Sequence, residues 1–377
     1  MITQRTIDTT IEPTSRELGI ADCPQVRIES DISGLEAFWK HALLPTASPF
    51  QTFAWNEAWY RRYREFYDEP LVVVAGAGRV LFPLYREGKV LRLAGDTVCD
   101  FQDAIGSCQR DVDYAFREIV GWARSRGYEF HFARLSTEGF LYRAIQSWED
   151  NGWSRPVEKV VGPCPWLRLS GSAEESMGHL PRKFRAELRR QSRRIDADFP
   201  GCDFELWSAP QITAERLDEM VSFHKEQFRR EGVNPLEDSR FIALLSDCSR
   251  QQETGFSLSR LGSEDSPLAM DLGFVRGGRF YGFLTIFDQQ ARRYSPGSCL
   301  LVRRIDRLIA DHGVRIFDFL CGGEPYKYRF ATGEYSVRAV SLFPKTLRGL
   351  RRRSRYSAGL WMRRVGKRCI AKVGMRT

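Results

Sequence analysis

The chain has 377 residues, 42% hydrophobic and 12% aromatic, enough apolar material for a folded core. No run approaches the roughly 18 apolar residues of a membrane span. Residues 345–377 hold twelve Lys or Arg and no acidic residue, and removing this +12 from the net charge of +9 leaves about −3 for 1–344. The nine cysteines form no C-x-x-C pair, which argues against a metal site or disulfide framework and favours a reducing, cytoplasmic location.

Residues 1–22 contain no apolar segment, so we expect a disordered lead-in and not a secretory signal. The following pattern predicts a strand, two helices and a β-meander with a hairpin turn at Ala77-Gly78. Two more helices are predicted around a strand at Glu129–Leu135. We interpret residues 23–170 as a first domain.

A second domain is predicted for residues 171–344, with the same kinds of element in a similar order. It begins with a helix at Ala173–Ala197, in which seven of the thirteen residues from Arg182 to Arg194 are basic. Such a helix contacts an acidic substrate or presents a solvated face to water. A strand, two helices (Ala214–Arg230 and Ser239–Ser249) and three antiparallel strands follow.

The segment from Phe280 to Phe330 is predicted to close this domain as a β-α-β unit with an anion-binding helix start. Ser295 is a suitable N-cap and Pro296 a suitable first helical residue. The next amides, at the positive end of the helix dipole, are expected to lack helical partners, and two basic residues precede them. These candidate phosphate ligands are Arg292, Arg293, Ser295, Gly297, Ser298 and Cys299. The alternative is a capped helix that binds nothing.

Titratable groups are concentrated just after this helix. Asp318 interrupts an apolar strand, and the turn EPYKYR places Glu324, Tyr326 and Lys327 within four residues. A strand end with so many polar groups is suited to proton transfer or substrate contact. A structural hydrogen bond for Asp318 and a solvated turn are the alternatives.

These residues resemble a known family. The combination of YSPG, a helix and FDF-x-x-G-x-EPYK is similar to the bacterial BioF2-like acetyltransferases, also called CelD-like, of the GNAT superfamily and related to FemAB-type transferases. Further similar segments are FQTFAW at 50–55, RKFRAELRRQSRRI at 182–195 and FHKEQFRREG at 223–232. The resemblance covers about residues 50–343 and implies an α+β, three-layer fold, a tandem GNAT-like arrangement with mixed central sheets.

The resemblance also implies a mechanism. Acetyl-CoA or a longer acyl-CoA lies between two splayed strands, with its pyrophosphate on the amides after Ser295, and a metal is not expected. Transfer is to an N- or O-acceptor, a small molecule or polysaccharide precursor, in polysaccharide (cellulose or exopolysaccharide) or cell-envelope synthesis. The chemistry of the residues themselves suggests the remaining roles: His224 or Glu324 as the base, Tyr326 or Tyr294 as the proton donor to the thiolate, and Lys327 and Tyr294 as substrate contacts, beside Asp318. A structural role is the alternative for His224, a single histidine on a helix.

Two alternatives remain open. The first alternative is an aminoacyl-tRNA donor, as in the FemAB relatives. It is kept because the loop has a single glycine, Gly297, where GNAT loops commonly have two. The other is a non-catalytic GNAT-fold protein tethered by its basic tail. Residues 345–377 intersperse apolar residues among arginines, which suits the anionic inner face of a membrane better than nucleic acid; contact with the acidic body is the further alternative.

Overall fold

A computed structural model describes residues 26–150, 152–228 and 234–359. The strands are β1 (Arg27–Glu29), β2 (Glu69–Ala75), β3 (Val80–Glu87), β4 (Val90–Leu93), β5 (Glu129–Ser136), β6 (Val157–Arg168), β7 (Asp203–Ser208), β8 (Phe256–Ser263), β9 (Ser266–Arg276), β10 (Arg279–Phe287), β11 (Ile316–Asp318) and β12 (Gly333–Leu342). The helices are α1 (Glu36–Ala42), α2 (Phe53–Arg62), α3 (Gln109–Ser125), α4 (Phe140–Ser147), α5 (Ala173–Ser176), α6 (Arg182–Asp198), α7 (Ala214–Gln227), α8 (Ser239–Ser249), α9 (Pro296–His312) and α10 (Pro325–Phe330). Within these ranges no helix is long and apolar enough to cross a membrane.

The chain repeats one arrangement twice. The segments from β1 to β6 and from β7 to β12 each run strand, two helices, three strands, helix, strand, helix, strand. In both, the first four strands pair antiparallel, and the fourth and fifth pair parallel across a connecting helix. The helices α5 and α6 connect the two halves. The predicted α+β fold with a tandem arrangement is therefore confirmed.

The sixth strands of the two halves are exchanged. All twelve strands form one sheet in the order β1-β2-β3-β4-β5-β12-β6-β11-β10-β9-β8-β7. Thus β6, from the first half of the sequence, pairs with β11, while β12, from the second, pairs with β5. The two exchanged strands also pair with each other, which joins the halves through the centre of the sheet.

Helices cover both faces of the sheet in three layers. On one face, α3 and α4 pack on the first half and α5, α6 and α9 on the second, each with a separate apolar core. On the other face, α1, α2, α7 and α8 share one large core with both halves. Trp55 and Phe50 of the first half pack edge-on against Phe274 of β9, so this core fixes the halves against each other.

Four local predictions need correction. The helix predicted at Ala173–Ala197 is interrupted before Pro181 and forms α5 and α6, because proline has no N–H to continue a helix. The turn EPYKYR is instead largely helical, as α10, with Pro325 as its first residue. The strand β12 was not predicted. The helix predicted at Ala214–Arg230 ends at Gln227, and its last two residues lie outside the described ranges.

The beginning of the basic C-terminal segment is helical and attached to the first half. Residues 347–359 are helical, and the Arg352 guanidinium lies 2.5 Å from Glu129, a carboxylate only 3% exposed. The Tyr356 ring packs on His131 of β5. The remaining part of that segment, 360–377, lies outside the described residues.

Candidate active site

The site is a gap that opens between two parallel strands. β10 and β11 pair from Arg279↔Ile316 to Tyr281↔Asp318, where β11 ends. β10 continues along β9 to Phe287, with a bulge between Gly282 and Leu284 that increases its twist. From Gly282 onward, the edge of β10 that faced β11 has no strand partner in the described chain. Backbone amides and carbonyls on this edge are therefore available to a ligand.

A cavity of about 470 Å³ occupies one side of this gap. Its walls are largely aromatic, with Phe317 and Phe319 from β11 and its extension and Phe287 from the end of β10. Gly282 forms part of the floor, and a Cβ there would meet the Phe317 ring at 3.3 Å. The first turn of α9 closes one end and α10 the other. An extended ligand with an apolar middle and a polar end fits this shape.

The first turn of α9 only partly matches its prediction. Pro296 is the first helical residue and Ser295 the N-cap, but Ser295 has left-handed backbone angles and its side chain makes no capping hydrogen bond. The amides of Ser298 and Cys299 donate to the Ser295 carbonyl at 3.0 and 3.1 Å, so the expectation that they lack helical partners is wrong. The Cys299 side chain is buried. Ser295, Gly297 and Ser298 do line the cavity.

Arginines surround the entrance beside this turn. Arg292 lines the cavity, whereas Arg293 donates to the hydroxyl of Tyr294 at 2.8 Å. Tyr294 is buried, and Arg194 of α6 lies over its ring at 4.8 Å. Tyr294 is therefore an anchor for two guanidinium groups and not part of the described cavity wall. The basic helix α6 packs along α9, so the entrance is positively charged.

Glu324, Tyr326 and Lys327 lie together at the other end. Glu324 and Tyr326 line the cavity. The Lys327 ammonium is buried, 3.1 Å from a Glu324 carboxylate oxygen and 3.3 Å from the Cys321 carbonyl, so Lys327 holds the loop that carries Glu324. Gly322 has φ of 148°, and a Cβ there would lie 2.2 Å from Glu324 Oε2. Only glycine suits that position.

The other two predicted catalytic residues lie elsewhere. Asp318 is fully buried on the opposite face of β11, where it accepts hydrogen bonds from Arg279 at 2.8 Å and from the Tyr335 hydroxyl at 3.0 Å. Burial raises its pKa, while the Arg279 guanidinium acts in the other direction. His224 is buried in α7 with its ring stacked on Phe228, and it is not among the described residues that line the cavity.

Two carboxylates near the gap were not identified from the sequence. Asp271 of β9 lines the cavity and pairs with the buried Arg304 of α9. Asp271 lies as a charge within the apolar strand LAMDLGF, and the same kind of pattern led to the prediction of Asp318. Asp100, from the first half, interacts electrostatically with Glu324, Asp318 and Lys327, and burial raises its pKa to about 6. No local pattern marks Asp100, because the fold alone brings it here.

The equivalent gap in the first half is filled by the protein itself. β4 and β5 pair through Val90↔Glu129 and Leu91↔Phe130 and then separate in the same way. The Gln102 amide donates to Arg134 of β5 at 2.8 Å, and its side chain donates to the carbonyl of Leu93 at 2.9 Å. Ile105 exchanges backbone hydrogen bonds with Leu81. The open gap with its cavity therefore belongs to the second half.

Comparison with protein families identifies the second half. Residues 182–328 match the family model described as an acetyltransferase (GNAT) domain. The match begins at α6 and ends within α10, so it includes the gap and leaves out the exchanged strands β6 and β12. No curated protein matches the chain. Within the described ranges there is also no group of three or more His, Cys, Asp or Glu residues that could hold a metal ion.

Solved structures share the fold over most of the chain. "L-PGS from Bacillus licheniformis" is similar, with a TM-score of 0.54, 15% identity and coverage of 82% of this chain and 92% of that one. The C-terminal domain of a putative lysylphosphatidylglycerol synthetase from Agrobacterium fabrum gives the same four values. FemX gives a TM-score of 0.54 at 10% identity, covering 83% of this chain and 96% of its own. At these identities the likeness concerns the fold.

Proposed function

Since residues 182–328 match an acetyltransferase (GNAT) domain, we propose that this chain is an acyltransferase and that it transfers an acyl group from acyl-CoA bound in the gap between β10 and β11. The observation that carries this proposal is the unpaired edge of β10 from Gly282 onward, opposite an aromatic wall. An extended pantetheine arm completes the edge as an added strand would. Its phosphates then reach the first turn of α9.

The polar end of the donor has two kinds of support. Gly297 and Ser298 line the cavity at the positive end of the α9 dipole, and Arg292 adds a cation. Arg293 and Arg194 both lie over the Tyr294 ring and add positive charge near the first turn of α9. We therefore keep Arg292, Ser295, Gly297 and Ser298 as donor ligands, and assign Arg293, Tyr294 and Cys299 to the support of the loop.

The transfer step requires few groups. The acceptor nitrogen or oxygen attacks the thioester carbon, the C–S bond breaks, and CoA leaves as a thiolate. Amides of the free β10 edge stabilise the oxyanion, since they are already oriented toward the gap. Glu324 at the cavity wall takes the proton of the acceptor, and Tyr326 returns one to the thiolate. His224 and Asp318 do not contact the donor in this scheme.

Acetyl-CoA binding tests the donor assignment. Gly297→Asp places a carboxylate where the pyrophosphate would lie, and there is room for it, because a Cβ at 297 would meet its nearest neighbour, Phe287, at 3.5 Å. Gly121→Asp is a matched control on α3, where a Cβ meets nothing within 4 Å. We expect acetyl-CoA to raise the melting temperature of the wild type and of Gly121→Asp, but not of Gly297→Asp. If acetyl-CoA and longer acyl-CoAs leave the wild type unchanged, the donor is not acyl-CoA.

An aminoacyl-tRNA donor is the second candidate, because of the charge on α6. Arg182, Lys183 and Arg193 form no ion pair with any residue in the described ranges, although they lie on the helix beside the cavity entrance. That is more positive surface than one CoA requires. If the wild type does not bind acyl-CoA but binds tRNA with an affinity that falls as the salt concentration rises, aminoacyl-tRNA is favoured as the donor.

The biological setting is also a proposal. We propose that the acceptor is a polysaccharide or cell-envelope precursor and that the protein works in the cytoplasm, at the inner face of the membrane. The family resemblance supports the first statement, and the +12 charge of residues 345–377 supports the second.

A further inference from the structure

A second cavity, of about 490 Å³, lies on the opposite face of the same two strands. Side chains alternate across a strand, and consecutive residues here line different cavities: Tyr281 faces the second cavity and Gly282 the first. Ile316 and Phe317 of β11 divide in the same way. The backbone of β10 and β11 is thus the partition between the two cavities, and it opens directly after Tyr281 and Asp318.

The second cavity is formed by both halves of the chain. The first half contributes the segments around Ser48, Asp103 and Gly139, and the second half contributes the β9–β10 turn and the start of β11. The acyltransferase match covers only the second of these halves. A role for the first half, whose own gap is closed, is to complete this cavity.

The charges available in the second cavity are mainly positive. Arg143, Arg279 and Arg315 line it, against Asp103 and Glu138. The Asp103 carboxylate is already engaged within the protein, because its two oxygens accept hydrogen bonds from the amides of Phe140 and Leu141, both at 2.7 Å. Glu138 is exposed, as are Arg143 and Arg315, so the lining carries three arginines against one acidic side chain that is not already engaged by backbone amides.

Asp318 orients the Arg279 side chain toward a ligand in the second cavity. One of its terminal nitrogens donates to Asp318 at 2.8 Å, which fixes the guanidinium, and none of its other N–H groups donates to a described residue. The Tyr335 hydroxyl donates to the same oxygen of Asp318 at 3.0 Å. A guanidinium held at one terminal nitrogen keeps its remaining donors for a ligand, and their planar arrangement suits a carboxylate or phosphate.

Tyr281 gives an independent indication of a ligand. Its side chain lines the cavity and is only 4% exposed, yet its hydroxyl makes no hydrogen bond to a described residue. The hydroxyl is open to the cavity and not sealed in the core, so a polar group of a ligand can reach it. The position of this hydroxyl, one residue before the partition opens, marks where a polar ligand would pass toward the thioester.

We propose that the second cavity binds the acyl acceptor, and that this acceptor carries an anionic group, a carboxylate or a phosphate, held by Arg279, Arg315 and Arg143. The proposal rests on the proposed function, because it takes the donor to lie in the first cavity. The acceptor nucleophile then reaches the thioester through the gap, from the face opposite the donor. Asp318 is a positioning residue for Arg279.

Binding of matched amines tests this. The probes are D-glucosamine 6-phosphate against D-glucosamine, and L-lysine against cadaverine, each measured by titration calorimetry with acetyl-CoA absent. The pairs differ in one phosphate and one carboxylate, so they separate the two anions. We expect the anionic member of at least one pair to bind the wild type about tenfold or more tightly than its partner, since a hydrogen bond to a charged group contributes about 1.5–3 kcal/mol.

Arg315→Gln and Arg143→Gln are suitable variants, because both side chains are exposed. Arg143 also donates to the carbonyls of Glu138 and Gly139, so the melting temperature of its variant is measured alongside. Each should weaken the preferred anionic probe by about tenfold. Arg307→Gln, an exposed arginine of α9 that lines neither cavity, should not change it. All three should keep the melting shift with acetyl-CoA.

The outcomes separate the two proposals. If neither anionic probe binds the wild type, or if binding survives both arginine variants, the acceptor assignment is wrong, while an intact acetyl-CoA shift leaves the donor assignment standing. If the wild type shows no acetyl-CoA shift, the proposed function itself fails.

Discussion

Replacing Arg304 by methionine is expected to destabilise the second half and to weaken the donor site together. Arg304 is fully buried in α9, and its guanidinium pairs with Asp271 and also donates to the hydroxyls of Ser259 at 2.7 Å and Ser257 at 2.9 Å. Asp271 is 3% exposed and lines the donor cavity. Without Arg304, the Asp271 carboxylate would keep the Ser259 hydroxyl as its one side-chain partner among the described residues.

Breaking a buried ion pair from one side costs about 3–5 kcal/mol, because one charge is left without compensation. Unfolding entropy of about 2.1 cal/mol/K per residue makes each kcal/mol worth about 1.3 °C of melting temperature in a chain of this length, if the transition is two-state. We therefore expect Arg304→Met to melt about 4–6 °C lower. Because the pair ties α9 to β8 and β9, the acetyl-CoA shift should also decrease.

The double variant Arg304→Met/Asp271→Leu is the control. Replacing both charges with apolar groups of similar volume is often neutral, so most of the lost stability should return. Thermal unfolding of the wild type, both single variants and the double variant gives the coupling energy. If the double variant is as unstable as the sum of the two single variants, the cost does not come from an unpaired charge and this reasoning is refuted.

Two further predictions concern pH and the C-terminal segment. Burial raises the pKa of Asp100 to about 6, so this group binds its proton more tightly in the folded state; its contribution to stability is present below about pH 4 and is lost as the pH rises through 6. Asp100→Asn should therefore gain stability relative to the wild type between pH 4 and 7 in urea unfolding, and a difference that does not change with pH would contradict this. Removing residues 360–377 deletes six Lys or Arg, each worth about 1 kcal/mol at an anionic surface, so sedimentation with vesicles containing phosphatidylserine should fall while acetyl-CoA binding is unchanged. Equal sedimentation of both forms would show that this segment is not the membrane contact.

Local pattern was enough to predict most of the elements. The turn at Ala77-Gly78, the β-α-β unit around α9 and the tandem order all follow from periodicity and turn residues. The prediction of strands failed where tertiary contacts determine whether a segment forms a strand. β12 contains Arg338 and two serines, so it resembles a surface segment, yet it is paired on both sides in the middle of the sheet.

The site shows the same division. Arg292, Gly297 and Glu324 are close in sequence to the strand they serve, and the structure places them around the gap. The roles of Lys327 and Tyr294 could not be predicted from the sequence, because they depend on contacts made in the fold. Lys327 is paired with Glu324, and the Tyr294 hydroxyl accepts a hydrogen bond from Arg293. Asp100 and Arg143 come from the other half of the chain, and no spacing rule connects them with α9.

The exchange of β6 and β12 bears on the history of this chain. Two copies of a single unit that trade their last strands form a strand-swapped homodimer, and joining such copies end to end gives the topology seen here. In that form neither copy can be lost, since each needs a strand of the other. The first half therefore supplies a strand to the half with the open gap, although its own gap is closed.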